Sequence, residues 1–418
     1  MSGSRTNEAA ATASTDDLPA RWRMLAFLSI AELLGMSLWF VGSAVAPQLQ
    51  LRFGLSGGQV AALTTAVQSG FVVGTALSAL LNISDIVAAR TLFASAAVLG
   101  AVANLPMMLD VSYPSMLASR FACGLCLAGV YPPALKMAAT WFRAQRGLAV
   151  GTIVGALTVG KAGPYLVHVF PDVGVRTVSL AASLSAVLAA LVVLATYRDG
   201  PHAFPNRPFS WSLTGDVVRS RRWRLATGGY LGHMAELYSY WTWIPAFVAA
   251  SVAGDAHSLT APASPFVSVL SFSVIAVGGA GCVWGGLVAD RIGRTTLVTR
   301  ALLVSGTCCA LVGFAFGRSL WLLAPLALVW GFFIIADSAQ FSVLVTESVP
   351  AHAVGTALTL QISLGFLLTT LSVQIVPMIV RGAGWPWVFA FLAIGPFLGI
   401  ASIKRLIAHG TPGAVAQN

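Results

Sequence analysis

The stretch GHMAELYSYWTWIP, residues 232–245, sets His233 and Glu236 one helical turn apart inside a long apolar run. A charged side chain is costly in hydrocarbon, so an ionisable group at membrane depth is by default a candidate functional group. Glu32 lies in a similar run near the start of the chain, and Arg120 and Lys161 lie in two more. A carboxylate withdrawn from water favours its neutral form, which suits a group that gains and loses a proton in each cycle. Glu32, His233 and Glu236 are therefore the candidate proton-coupling set. Arg120 and Lys161 are cations that would attract a small organic or inorganic anion. Tyr238, Tyr240 and Trp241 follow Glu236 directly and would wall the cavity. Gln68 and Gln361 are mid-span amides able to hydrogen-bond a substrate. Plainer readings stay open beside these. Glu32 could be a structural bridge to Arg120 or Lys161. His233 could be a packing histidine, Trp39 and Trp243 belt or core residues, and the glutamines bridges between helices.

The elements that must position these groups are membrane helices. Of 418 residues, 57% are hydrophobic and 9% charged, with mean hydropathy +0.82. Soluble domains carry about 25% charged residues. Apolar runs of about 20 residues mark spanning helices. About twelve are predicted, at 24–46, 60–82, 91–109, 114–138, 147–168, 177–197, 225–250, 266–288, 297–317, 320–344, 353–378 and 385–405. The runs are apolar throughout and lack the alternation a membrane barrel needs. The expected class is an all-α polytopic membrane protein. Residues 1–23 read as a polar cytoplasmic tail without the features of a signal peptide. Lysine and arginine placement puts both termini inside. The formal charge of +10 is then mostly positive-inside bias, and no nucleic acid is invoked. Cys123, Cys126, Cys282, Cys308 and Cys309 all fall within spans, where free cysteine packs as a small hydrophobe. No disulfide framework, metal cluster, nucleotide loop or catalytic triad is apparent, so neither an enzyme nor a cofactor is expected.

The longest polar interruption, rich in Pro and Arg, is 198–224. It divides the chain into a six-helix bundle at 24–197 and another at 225–407, followed by a cytoplasmic tail at 408–418. The halves echo each other. AELLGMSLW at Ala31–Trp39 matches AELYSYWTW at Ala235–Trp243, an offset of 204. Asp85 and Asp290 end the second and eighth spans at an offset of 205. Two six-helix repeats around a central cavity are a known transporter plan. At 1.5 Å per residue, Glu32 and His233 lie ~12 Å and Glu236 ~16 Å into the membrane. Arg120 and Lys161 fall at similar depths on neighbouring spans. Asp337 lies ~26 Å down span ten, near the cytoplasmic side, as a gate or part of a clasp.

The turn GGLVADRIGRTT at Gly285–Thr296 resembles the loop motif of the major facilitator superfamily, through Gly286, Asp290, Arg291, Gly293 and Arg294. PQLQLRFGLSGGQV and ATWFRAQRGLAVG resemble the family's first outside loop and its turn between helices four and five. The resemblance covers the whole chain. It implies two pseudo-symmetric six-helix bundles around a central cavity. It also implies a charge clasp of Asp290, Arg291 and Arg294 joined by Glu347, with Asp85 and Arg90 as a reduced counterpart lacking the glycines. Arg120, followed by Gly124, resembles the helix-four arginine of proton-coupled members. GTIVGALTVGKAGPYL, around Lys161, partly resembles the glycine-rich helix-five motif of drug/proton antiporters, with a spacing one residue short and no trailing Gly-Gly, and is also similar to the glycine-rich fifth helix of nitrate/nitrite porters. The chain as a whole has a distant similarity to anion porters of the nitrate/nitrite and monocarboxylate type. Spans two and eight lack the mid-depth arginines that nitrate porters use.

The resulting expectation is a proton-coupled secondary transporter, working by alternating access on a small and preferably anionic solute. It would be monomeric and multi-pass in the cell membrane, a bacterial inner membrane by its Arg- and Ala-rich composition. The alternatives are proton-coupled efflux of amphipathic drugs or sugars, and a non-transporting sensor or assembly protein that kept the fold.

Overall fold

The computed structural model describes residues 19–81, 83–109, 112–142, 145–167, 173–202, 210–259, 261 and 264–409. Each predicted run is a helix or a pair of stacked helices. Nine helical segments among the described residues are long and apolar enough to cross a membrane. Three further long helices lie outside that apolar set: Pro19–Met36 (span one), Arg146–Val167 (span five) and Arg221–Ala253 (span seven). They carry Glu32, Lys161, His233 and Glu236. These three spans sit among the others with those ionisable side chains buried.

Local sequence sets the helix ends. Span two (Gly57–Leu80) starts at a capping box, in which Gln59 N–H donates to Ser56 Oγ and Ser56 N–H to Gln59 Oε1. These satisfy two of the amides a helix start leaves open. Span eight (Pro265–Ile292) starts at a Ser264 cap with proline in the first turn. It ends at Gly293, whose φ of +85° makes the tight turn into span nine (Arg294–Leu311). Only glycine adopts that backbone freely. The end of the bundle bearing this turn is called the clasp end below.

Four runs predicted as single helices are broken. Span one stops at Met36 and resumes at Val41. Span four is Tyr113–Leu127 then Tyr131–Ala139, where Pro132 and Pro133 withhold two amide donors. Span ten is Leu320–Phe333 then Ser338–Thr346, and span twelve is Trp385–Leu392 then Ile394–Ala408. The breaks in spans four and ten fall at matching places in the two repeats. Spans three (Ala89–Ala103) and nine also both finish in a 3-10 turn, Leu105–Met108 and Val312–Ala315.

Hiding apolar surface gains helices little in lipid, so close backbone packing must hold them. Exposed leucines 180, 184, 188 and 191 mark the lipid side of span six (Val175–Thr196). The halves meet along two seams. Spans five and eight touch through glycines: a Cβ at Gly151 would lie 2.6 Å from the Cys282 carbonyl oxygen, and one at Gly155 2.7 Å from that of Gly279. Spans two and eleven (Val354–Ala383) are joined by Thr369 Oγ1 donating to Gln68 Oε1 (3.1 Å) and Gln374 Nε2 donating to Thr65 Oγ1 (3.3 Å).

Candidate functional site

Spans one, five and seven build the centre. Gly160 lets span five lie against span one, because any side chain there would fall on the Leu33 carbonyl oxygen. That contact places Lys161 near Glu32. The lysine is 1% exposed, and its Nζ donates to Tyr238 Oη at 3.0 Å. It stands 4.0 Å from the Trp39 ring centroid, 4.4 Å from that of Trp241 and 4.9 Å from that of Tyr238. Phe366 of span eleven closes the cage, 5.1 Å from Tyr238 and 6.0 Å from Trp39 between centroids. A desolvated cation–ring contact contributes about 2 kcal/mol, so the rings partly offset the loss of water. Glu32 is fully buried and neither of its oxygens has a hydrogen-bond partner. Lys161 and Tyr131 lie within its electrostatic reach.

A narrow, partly open cleft begins one turn beyond the cage, on the side away from the clasp end. Ser43, Tyr165 and Thr242 line it. Tyr165 follows Lys161 and Thr242 follows Tyr238 by four residues, one turn on the same face of a helix, so spans five and seven carry cage and cleft in one register, while Ser43 lies just past the break that holds Trp39. Ser268 and Ser271 of span eight add hydroxyls. The Thr242 and Ser271 hydroxyls are buried without hydrogen-bond partners.

Glu236 faces away from this centre. Trp330 Nε1 donates to its Oε1 at 2.7 Å and Ser305 Oγ to its Oε2 at 3.0 Å. The carboxylate thus ties span seven to spans nine and ten within the second half. Tyr240 shares that face and donates to the carbonyls of Val274 (2.9 Å) and Ala327 (3.1 Å), with its ring 4.5 Å from Trp330. It bridges three helices and does not wall the centre beside Tyr238 and Trp241. Trp243 donates to Val373 O at 3.0 Å and borders the cleft beside Thr242.

His233 Nδ1 stands 3.0 Å from Asp337 Oδ1, both residues 1% exposed. The pair is at ion-pair distance but off the hydrogen-bond line, since neither ring nitrogen nor either carboxylate oxygen has a hydrogen-bond partner. Asp337 sits at the break in span ten, so it belongs to this pair and not to the clasp.

Arg120 does not share a pocket with Lys161. Its guanidinium donates to Leu38 O (2.6 Å), Trp39 O (2.8 Å) and Asn104 Oδ1 (2.9 Å). The first two are carbonyls exposed by the break in span one. Asn104 in turn donates to Ser179 O and Ser183 Oγ. Trp39 separates the two cations: its carbonyl takes Arg120 and its ring takes Lys161.

At the clasp end Arg294 pairs with Glu347 at 3.2 Å and, more loosely, with Asp290 at 3.8 Å. Asp290 also lies beside Gly147 at the start of span five, linking the turn to the other half. Arg291 is exposed next to this pair. Arg90 donates to the Leu194 carbonyl at the end of span six, while the side chain of Asp85 lies outside the described residues. Gln361 Nε2 donates weakly to Phe341 O at 3.4 Å. Sequence reading did not single out Tyr131, Phe366, Tyr165, Asn104, Ser305 or Trp330. They are ordinary span residues whose importance comes only from what they touch.

Twelve helical spans among the described residues, with buried ionisable groups where the halves meet, are the architecture of a membrane transport protein. The chain belongs to the Major Facilitator Superfamily, whose profile matches residues 27–373. It is 22% identical, over 95% of its length and 96% of theirs, to the hexuronate transporters of Escherichia coli strains K12 and O157:H7. A crystal structure of the nucleoside transporter NupG aligns with 92% of this chain and 99% of that one. The TM-score is 0.68 and the identity 13%, which is a likeness of fold.

Proposed function

We propose that this transporter carries a small hydroxylated carboxylate, of the sugar-acid kind, and couples its movement to protons. The observation that supports this most is Lys161 held in a dry aromatic cage in register with a hydroxyl-lined cleft. A carboxylate at Lys161 would leave its hydroxyl groups about one helical pitch, 5.4 Å, away, beside Tyr165, Thr242 and Ser271. The relatives named as hexuronate transporters favour the same chemistry. Glu32 is the group best placed to take the coupling proton. It has no donor to lose on protonation, and Lys161 is near enough to feel the change. His233, Asp337 and Glu236 form a second ionisable group in the other half. The clasp of Asp290, Arg294 and Glu347 would hold the end opposite the cleft shut. Inward termini, a bacterial inner membrane and a monomeric carrier complete the reading. A cationic cargo is disfavoured, because a protonated Lys161 would repel it from the cage.

Solid-supported-membrane electrophysiology on proteoliposomes tests this with sugar acids, simple monocarboxylates, neutral sugars and cationic drugs at two pH values. Sugar acids should move charge, and Lys161→Ala should abolish the signal. Glu32→Gln should lose accumulation driven by a pH gradient but keep substrate exchange. Currents with cationic drugs alone would overturn the anion assignment. A Glu32→Gln protein that still concentrates substrate would remove Glu32 from proton coupling.

A further inference from the structure

Between spans six and seven lies a helix, Trp211–Arg219, that none of this transport chemistry uses. At about 100° per residue its nine positions fall into three sides. Leu213, Thr214 and Val217 form the side against the protein, with Val217 buried. Trp211, Gly215 and Val218 form the second: Trp211 is 71% and Val218 45% exposed, and nothing lies near the open side of Gly215. Ser212, Asp216 and Arg219 form the third, which is polar and exposed. Two hydrogen bonds pin the ends: Ser210 N–H donates to Thr356 Oγ1 (2.9 Å) and Ser220 Oγ to Ser348 O (3.5 Å). Ser220 then caps span seven, whose first turn holds Arg221, Arg222 and Arg224. The helix therefore lies at the membrane face of the clasp end.

Three sides suit a helix with three neighbours: protein, lipid and water. Trp and Val on the middle side match the boundary between headgroups and acyl chains. The neighbouring charge is overwhelmingly positive. From Ser210 to Arg224 the acid is Asp216, against Arg219, Arg221, Arg222 and Arg224. Arg222 lies half-buried beside them, with its Nε and one Nη shielded from solvent and without a hydrogen-bond partner.

We propose that this helix and the first turn of span seven form a binding surface for an anionic phospholipid of the leaflet at the clasp end. Trp211 and Val218 enter the headgroup boundary, and the lipid phosphate meets Arg219, Arg221 and Arg222. The partner is a lipid, because the cationic cluster is continuous with a membrane span and flanked by an apolar strip of one Trp and one Val.

Equilibrium binding of a tail-labelled phosphatidylglycerol to the full chain in neutral detergent tests this, with phosphatidylcholine as control. Each basic residue near an anionic surface contributes about 1 kcal/mol, a factor of about five in affinity. The triple substitution Arg219→Gln, Arg221→Gln and Arg222→Gln should thus weaken phosphatidylglycerol binding about a hundredfold and leave phosphatidylcholine unaffected. Trp211→Ser should weaken both lipids. If the triple variant does not fold, Arg221→Gln alone decides, with a fivefold loss expected. Unchanged phosphatidylglycerol binding would overturn the proposal. So would full competition by millimolar inorganic phosphate, which would make the cluster a site for free anions, or self-association of the chain through Trp211 that displaces lipid.

Discussion

Glu32 and Glu236 occupy the same place in the two repeats, each inside an Ala-Glu-Leu sequence, and both are buried. Their surroundings are opposite. Glu236 accepts hydrogen bonds from Trp330 and Ser305, so two neighbouring helices are tied through it. Glu32 accepts none. A Cβ at Gly124 would fall on the Val67 carbonyl oxygen and one at Gly331 on that of Val274, so these two glycines match and Cys123 stands where the second half has Trp330. The Cys123 thiol turns to the Gly100 carbonyl instead. The indole donor is lost, and the carboxylate of Glu32 is left near Lys161. Duplication thus fixed a backbone position, while its neighbours decided between a structural tie and a free acid beside the centre. A carboxylate whose bonds are all made resists change of protonation, because its donors would be left unpaired.

The largest effect that can sharpen this contrast is on Lys161. Removing one partner of a buried charged contact costs about 2–5 kcal/mol, so Lys161→Ala should lower sugar-acid kcat/KM by roughly thirtyfold or more in counterflow assays. A smaller loss would place the substrate elsewhere. Next is Arg120→Gln, which strands the Leu38 and Trp39 carbonyls at about 1–3 kcal/mol each. Thermal melts in detergent should show a large drop, with transport impaired through Trp39 even in the folded fraction. A third test addresses the glutamates directly. A glutamine at 236 can accept from only one of the two donors, so Glu236→Gln should cost about 1–3 kcal/mol of stability. Glu32→Gln breaks no hydrogen bond and should leave the melting temperature unchanged or raise it. Equal losses in the two variants would end the comparison. The smallest effect belongs to the clasp. Arg294 and its partners are partly exposed, and such pairs contribute about 1 kcal/mol or less. Arg294→Gln should shift the melt slightly at low salt and not at about 1 M, where screening is nearly complete.

Much of the architecture could be read without coordinates. The apolar runs located twelve spans, because a helix must satisfy its own backbone in lipid and needs about 20 residues to cross. The Asp290–Arg294 turn and the Glu32–Glu236 repeat were legible as residue patterns. The breaks in spans one and ten were not, since Ser37–Phe40 and Ile334–Asp337 hold neither Pro nor Gly. Arg120 could therefore be read as an anion site, although it caps the carbonyls that one of these breaks exposes.

What the sequence alone determined is the all-helical membrane class, the order of the spans and the tight glycine turn between spans eight and nine. Which way each side chain faces was decided by the tertiary structure. Tyr238 and Tyr240 are two residues apart, yet one bonds Lys161 at the centre and the other bonds Val274 and Ala327 within the second half. The physical reason is the solvent. In water an amphipathic stripe announces a helix's inner face. In a bilayer both the lipid side and the protein side are apolar, so the face is set by the helices that pack against it.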